Sequence, residues 1–254
     1  MTIYMIFCIF IHIILLKINI TYCEQAQSFI SKPSDTKIIL GGTALFKCSV
    51  SARHGDVQWI HEGTALGYDR KIPGKPRYSV KWFDNEDTEY HLEIVNVTLE
   101  DEGTFSCQVA PIGDWDTKLE ARAKLIVLVG PKNGPEIMFN DESKNNNDIV
   151  HFRTASLKTT KFTCTIRRSK PVGVIKWYLN GSLVSSNVGK ITDTKQVVYD
   201  GLHEDLTSIF ELKQQTNLIY NNSIIRCQVF HEAFGINLEL QNMSISLRII
   251  VVCK

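Results

Sequence analysis

The sequence predicts an all-β protein: two tandem antiparallel β-sandwiches behind an N-terminal leader. Three observations predict it. Cysteine, tryptophan and cysteine recur in the same order in both halves, as Cys48, Trp59, Cys107 and then Cys164, Trp177, Cys227. The two Cys-to-Cys separations are nearly equal, at 59 and 63 residues. Between the cysteines lie short runs that alternate apolar and polar side chains, punctuated by Gly41-Gly42, Pro73-Gly74 and Asn180-Gly181. Period-two runs bounded by turn residues are the pattern of antiparallel strands in sandwiches. The expected division is a leader over residues 1–23, a first sandwich over 24–129, a short linker over 130–134 and a second sandwich over 135–254.

The leader, "MTIYMIFCIFIHIILLKINITYC", is apolar through Leu16 apart from His12, and Lys17 is its one charge. It reads as a secretory signal peptide cleaved near Cys23 or Ala26. No basic stretch precedes the apolar run, so an uncleaved signal anchor is the alternative. No later apolar run reaches the roughly 18–20 residues that cross a bilayer. The 254-residue chain carries 28 basic and 27 acidic residues, a formal charge of +1. Without Lys17 the balance is neutral. No basic stripe is present, which argues against nucleic acid as a partner.

Seven cysteines are present. Cys8 and Cys23 fall in the leader and Cys253 is left over. A secreted chain favours disulfides; the alternative, buried thiols in a cytosolic protein, requires the leader to be something else. In the first half, Ala44, Phe46, Cys48 and Val50 share one face of a strand. Val57 and Trp59 share one face of the next, and Phe105, Cys107 and Val109 one face of a third. Bringing these faces together buries the Cys48–Cys107 bridge against the indole of Trp59, and the same plan pairs Cys164 with Cys227 beside Trp177. Closing a loop of about 60 residues contributes roughly 4 kcal/mol by loop-closure entropy. The run "VLVGPKNGPEI", 127–137, is a short proline-bracketed hinge that holds the domains end to end. The run "NDESKNNND", 140–148, reads as an exposed loop.

Catalytic and metal-binding patterns are missing from the sequence. The histidines form no HExxH, no CxxC occurs, and there is no GxSxG elbow, P-loop or GxGxxG. "GLHEDL", 201–206, gathers an imidazole and two carboxylates but reads as a solvated turn. The expectation is a non-enzymatic protein without cofactor, metal or small-molecule substrate. Four N-glycosylation sequons follow the leader, at Asn96, Asn180, Asn221 and Asn242. Asn96 is read as lying opposite the inward-facing Leu92 and Ile94, and Asn180 precedes a turn glycine; both placements suit an exposed glycan.

The Cys…Trp…Cys plan, with "DEGTFSC" before the second cysteine, resembles the immunoglobulin superfamily, with a V/I-type first domain and a C2/I-type second. The resemblance implies an ion pair between Arg77 and Asp101 across the bottom of the first domain. Two departures stand out: the family's corner tyrosine is Phe105 here, and in the second domain that place is Ile225 with no Asp-x-Gly before it. Within the first domain, "VQW", "ALG", "R-x-IPG-x-PRY" and "CQV" resemble nephrin and the kin-of-irre proteins, cell-surface adhesion receptors that recognise one another through their first domains. That resemblance implies binding to another immunoglobulin-superfamily protein through the outer face of the C, F and G strands. By alternation, Gln58 and Ile60 point out on strand C, Ser106 and Gln108 on strand F, and Arg122, Lys124 and Ile126 on strand G, with Gln58 beside Gln108. From spacing alone both glutamines also fit ordinary solvated sheet positions. The implied protein is an extracellular adhesion ectodomain, attached to a plasma membrane if the receptor continues beyond Lys254. The alternative is a secreted soluble ligand or decoy without an anchor. Cys253 fits either an intermolecular disulfide or a receptor that continues into a further domain.

Overall fold

A computed structural model describes residues 25–81, 88–113, 117–153, 160–198, 200–212, 220–235 and 243–252. The leader, Cys253 and Asn242 lie outside the described residues. The first sandwich comprises β1 (Ser28–Ser31), β2 (Thr36–Ile39), β3 (Ala44–Phe46), β4 (Ser49–Ser51), β5 (Val57–His61), β6 (Thr64–Ala65), β7 (Tyr78–Lys81), β8 (His91–Ile94), β9 (Gly103–Val109) and β10 (Leu119–Leu128). One sheet has the order β2-β10-β9-β5-β6; opposite it lie β3-β8-β7 and the two-stranded β1-β4. The parallel pairing of β2 with β10, among otherwise antiparallel strands, comes from the chain switching sheets between β1 and β2.

The second sandwich repeats the plan with β11 (Glu136–Phe139), β12 (Glu142–Lys144), β13 (Ile149–Arg153), β14 (Thr160–Ser169), β15 (Val174–Leu179), β16 (Ser182–Leu183), β17 (Gly189–Val197), β18 (Glu204–Leu212), β19 (Ile224–Phe230) and β20 (Ser244–Val252). Its sheets are β12-β11-β14-β18-β17 and β13-β20-β19-β15-β16. Again the chain crosses between sheets early, so β13 pairs parallel with β20.

Each sandwich encloses its own apolar core, and the alternation expected from sequence fills both. Cys48 and Cys107 are bonded over Trp59, and Cys164 and Cys227 over Trp177; all six side chains are buried. Burying an indole also buries an N–H, which needs an acceptor. Trp59 Nε1 donates to the Tyr90 carbonyl at 2.7 Å. Trp177 Nε1 donates to the Ser208 hydroxyl at 3.0 Å, and that hydroxyl donates to Asp193 at 2.6 Å.

Two expectations are corrected. Ala44, Phe46, Cys48 and Val50 are buried as predicted, but they do not lie on one strand. The run breaks at Lys47-Cys48, where the Cys48 N–H leaves the ladder and donates to the buried His91 Nδ1 at 3.1 Å. The segment 140–148 is not a free loop. Asn140 and Asp141 adopt left-handed conformations (φ 47 and 68) and turn the chain into β12, which pairs back on β11. Asparagine and aspartate tolerate that region better than other non-glycine residues, so the polar run encodes a hairpin turn.

The hinge is pinned as well as short. Val129 and Lys170 exchange two backbone hydrogen bonds of 2.7 Å each, one residue beyond β10 and one beyond β14. Glu102 reinforces the joint: one carboxylate oxygen accepts the Val127 N–H at 2.9 Å, and the other meets Lys170 Nζ at 2.8 Å. Lys37 of the first sandwich also pairs with Glu232 of the second.

Candidate protein-binding face

The outer face of β6-β5-β9-β10 forms a regular grid, because register places residues from different strands in rows. Gln58, Gln108 and Glu120 make one row; Ile60, Ser106 and Arg122 make the next. Thr104 and Lys124 continue the pattern. Beside them Glu62 closes the β5–β6 hairpin, where Glu62 and Gly63 both take positive φ (46 and 79) in the two-residue turn that suits strand twist. The inward rows are Trp59, Cys107, Phe105, Ala121, Ala123 and Leu125, all buried. Gln58, Ile60 and Gln108 are half-buried, and Arg122 and Lys124 are exposed.

Ser106 behaves differently from the expectation that it faces a partner. It points outward but is only 5% exposed. Its hydroxyl donates to Glu120 at 3.1 Å, and Glu120 also accepts from Arg122 Nε at 2.6 Å with Lys118 Nζ 3.6 Å away. Arg122 chiefly, with Ser106 behind it, holds the Glu120 carboxyl down at about 2. Ser106 therefore organises the charges above it and offers little surface of its own. Sequence reasoning passed over Glu120 and Glu62. Both could have been found, since Glu120 stands two residues from Arg122 on the same strand face. Glu62 accepts the Thr104 N–H, and that bond lowers its carboxyl below the usual range. The face thus carries two amides and an aliphatic side chain, flanked by acidic and basic groups in alternation.

At the bottom of the same sandwich, Arg77 meets Asp101 through two guanidinium nitrogens, and Tyr78 donates its hydroxyl to the same carboxylate at 2.6 Å. The Thr98 N–H adds a further bond at 2.7 Å. Burial pushes the Asp101 carboxyl up, but Arg77, Thr98 and Tyr78 together outweigh it and hold the group well below the ordinary aspartate range. Phe105, which has no hydroxyl to tie back to the chain, stacks instead on His61 with ring centroids 4.2 Å apart. Gln27 is a structural residue that the sequence did not single out: its buried amide donates to the Ala110 and Thr117 carbonyls at 3.2 and 2.7 Å, tying the start of the sandwich to the β9–β10 connection.

The described sequons differ in their surroundings. Asn96 is exposed, but not by alternation, since it shares the parity of Leu92 and Ile94. β8 ends at Ile94, and a positive φ of 51 turns Asn96 outward. Asn180 uses its whole amide in the fold: Oδ1 accepts the Ile224 N–H at 2.8 Å and Nδ2 donates to the buried Ser223 hydroxyl at 3.0 Å. Asn221 is exposed and accepts the Val251 N–H at 3.0 Å. Among the described residues there is no cluster of three or more metal-ligating side chains, and no helix is long and apolar enough to cross a membrane.

Comparison with known proteins adds lineage to this geometry. The immunoglobulin I-set domain family matches residues 27–127, and the CD80-like C2-set immunoglobulin domain family matches residues 147–237. Synaptogenesis protein syg-1 of Caenorhabditis elegans is 28% identical over 212 residues, covering 82% of this chain and 27% of its own length. Kin of IRRE-like protein 2 of Homo sapiens is 36% identical over 113 residues, 43% of this chain and 15% of that protein. The chain spans about a quarter of the length of the first of these relatives, 27%. Among solved structures, Rst D1-D2 aligns with a TM-score of 0.69 at 24% identity, covering 90% of this chain and all of that one, a likeness of fold.

Proposed function

The chain belongs to the immunoglobulin superfamily of adhesion proteins, and from that premise we propose that it is an extracellular recognition module whose first sandwich binds another immunoglobulin-superfamily chain through the outer face of β5, β9 and β10. This adhesion family is non-enzymatic, and so is the activity assigned here: equilibrium binding. The observation that carries the reading is the row structure of the face. Gln58 sits directly opposite Gln108, and Ile60 stands half-buried one row below, between that amide pair and the Glu62 turn. Paired amides offer donors and acceptors at fixed spacing, and an aliphatic side chain beside them gives apolar area to desolvate. Mixed polar and apolar surfaces of this kind suit protein partners better than small molecules. The opposed charges of Glu62, Glu120, Arg122 and Lys124 set orientation more than affinity.

Several such contacts between apposed cells add by avidity, so a weak single contact suffices for adhesion. The second sandwich acts as a spacer held at a pinned joint. In this reading the leader directs secretion, Asn96 carries a glycan away from the binding face, and the chain works at the cell surface as the outer part of a longer protein.

Bead aggregation driven by the chain tests the assignment. Gln58→Ala and Ile60→Asp are expected to abolish aggregation while leaving the thermal midpoint nearly unchanged. Normal aggregation by both variants would remove the face assignment.

A further inference from the structure

The second sandwich carries an edge that the recognition face leaves unused. Among the described residues β17 is the outermost strand of its sheet, paired on one side with β18 from Gly189↔Leu212 to Val197↔Glu204. Every residue after Gly189 is exposed. Half of the backbone N–H and C=O groups of such a strand point to solvent and offer a template for another strand.

Register places Ile191, Asp193, Lys195 and Val197 on the core side of the sheet, in rows with Phe210, Ser208, Leu206 and Glu204. Phe210, Ser208 and Leu206 are buried, but their β17 neighbours overhang the core: Ile191 is 40% and Val197 60% exposed. A charge on the core side of an edge strand normally blocks chance pairing, because a new strand would strip water from it without supplying a partner. Lys195 is placed to do that.

One alignment with a second copy removes the block. Let two β17 strands run antiparallel about a two-fold axis at Thr194. Ile191 then faces Val197, Asp193 faces Lys195, Thr194 faces itself, and the same pairs recur beyond the axis. On the opposite side of the sheet Thr192 faces Gln196. Every core-side charge meets its opposite and every core-side aliphatic meets an aliphatic. Sliding the pairing by two residues either way, the smallest slip that keeps the core sides together, puts Asp193 against Asp193 or Lys195 against Lys195. The sequence thus rejects foreign strands and shifted registers while accepting itself, a specificity set by repulsion as much as attraction. Asp193 is already held on this side by the hydroxyl of Ser208 at 2.6 Å. A shallow hollow lined by Val184, Gly189 and Ile191 adjoins the end where the second copy's Val197 arrives.

We propose that β17 is a homotypic interaction edge through which two copies of this chain join into one continuous sheet. The contact uses no residue of the first sandwich, so the recognition face and this edge work independently.

Sedimentation equilibrium of the full chain tests the proposal, with Ile60→Asp present throughout to silence the first face. A monomer–dimer equilibrium is expected. Lys195→Asp and Asp193→Lys should each weaken it about tenfold or more. An equimolar mixture of the two should restore it, since each introduced charge then meets its opposite. Because Asp193→Lys also disturbs Ser208, a second measurement stands apart from it. In a Cys253→Ser background, Thr194→Cys should give a disulfide-linked dimer on non-reducing electrophoresis, and Thr192→Cys should not. A chain that stays monomeric, dimerisation indifferent to Lys195→Asp, or equal cross-linking from positions 192 and 194 would overturn the proposal. None of these outcomes bears on aggregation through Gln58 and Ile60.

Discussion

Arg77 and Asp101 are joined by two hydrogen bonds at the base of the first sandwich, and the Asp101 carboxylate is almost fully removed from solvent. Its folded-state pKa lies below the ordinary 3.8. The pair therefore contributes its full stability at neutral pH and loses it as the solution falls below about pH 4 toward the folded value. Asp101→Asn is expected to cost about 2–4 kcal/mol at pH 7, because Arg77 loses its counter-charge in a partly buried site. The variant should also show a flatter stability curve below pH 4, measured by urea unfolding across pH. An equally steep acid loss in the variant would assign that loss to other carboxylates.

His91 holds the strand break beside the first disulfide. Its Nδ1 is the acceptor for the Cys48 N–H, which has left the sheet ladder. His91→Phe keeps the ring volume and removes the acceptor. A buried N–H without a partner costs about 1–3 kcal/mol. Chemical unfolding of the variant should register that loss with the Cys48–Cys107 bridge intact, and no loss would mean that the N–H finds another acceptor.

Glu102 ties the end of the first sandwich to the second beside the linker. Glu102 bridges the Val127 N–H and Lys170 Nζ. Glu102→Ala leaves the Val129–Lys170 backbone pair in place but removes both attachments. Small-angle scattering of the full chain is expected to show a broader distribution of interdomain distances, with the thermal midpoint of each domain little changed. A profile identical to the parent would make the backbone bridge and the Lys37–Glu232 pair sufficient without Glu102.

The glycosylation sites should separate by role. Asn96→Gln is expected to remove one glycan by mass and leave stability unchanged. Asn180→Gln should lower the thermal midpoint by about 4–8 °C, because a displaced amide loses hydrogen bonds to Ile224 and Ser223 worth about 1 kcal/mol net. Equal midpoints for the two variants would show that the Asn180 amide is dispensable.

The repeated Cys…Trp…Cys order made both sandwiches legible, because a buried bridge packed on an indole constrains spacing within the chain itself. Alternation placed Gln58, Ile60, Gln108, Arg122 and Lys124 on the outer face, since a strand leaves its side chains only two directions. The same rule failed at Asn96, where the strand had already ended; at Cys48 it gave the right face but not the strand break, where a histidine from another strand replaced the ladder partner. Alternation also put Ser106 outside without revealing that Glu120 covers it. The direction of a side chain is local, whereas its cover depends on the neighbouring strand.

The sequence by itself determined the two-sandwich plan, the bridge and tryptophan at the centre of each core, and the sides on which candidate binding residues stand. Register decided the rest. Only the folded sheets bring Gln58 against Gln108, Glu102 against Lys170 and Asp193 beside Ser208, and leave β17 at an open edge. Those pairings join residues far apart in the chain, and their alignment is set by turns, bulges and sheet order rather than by any local period.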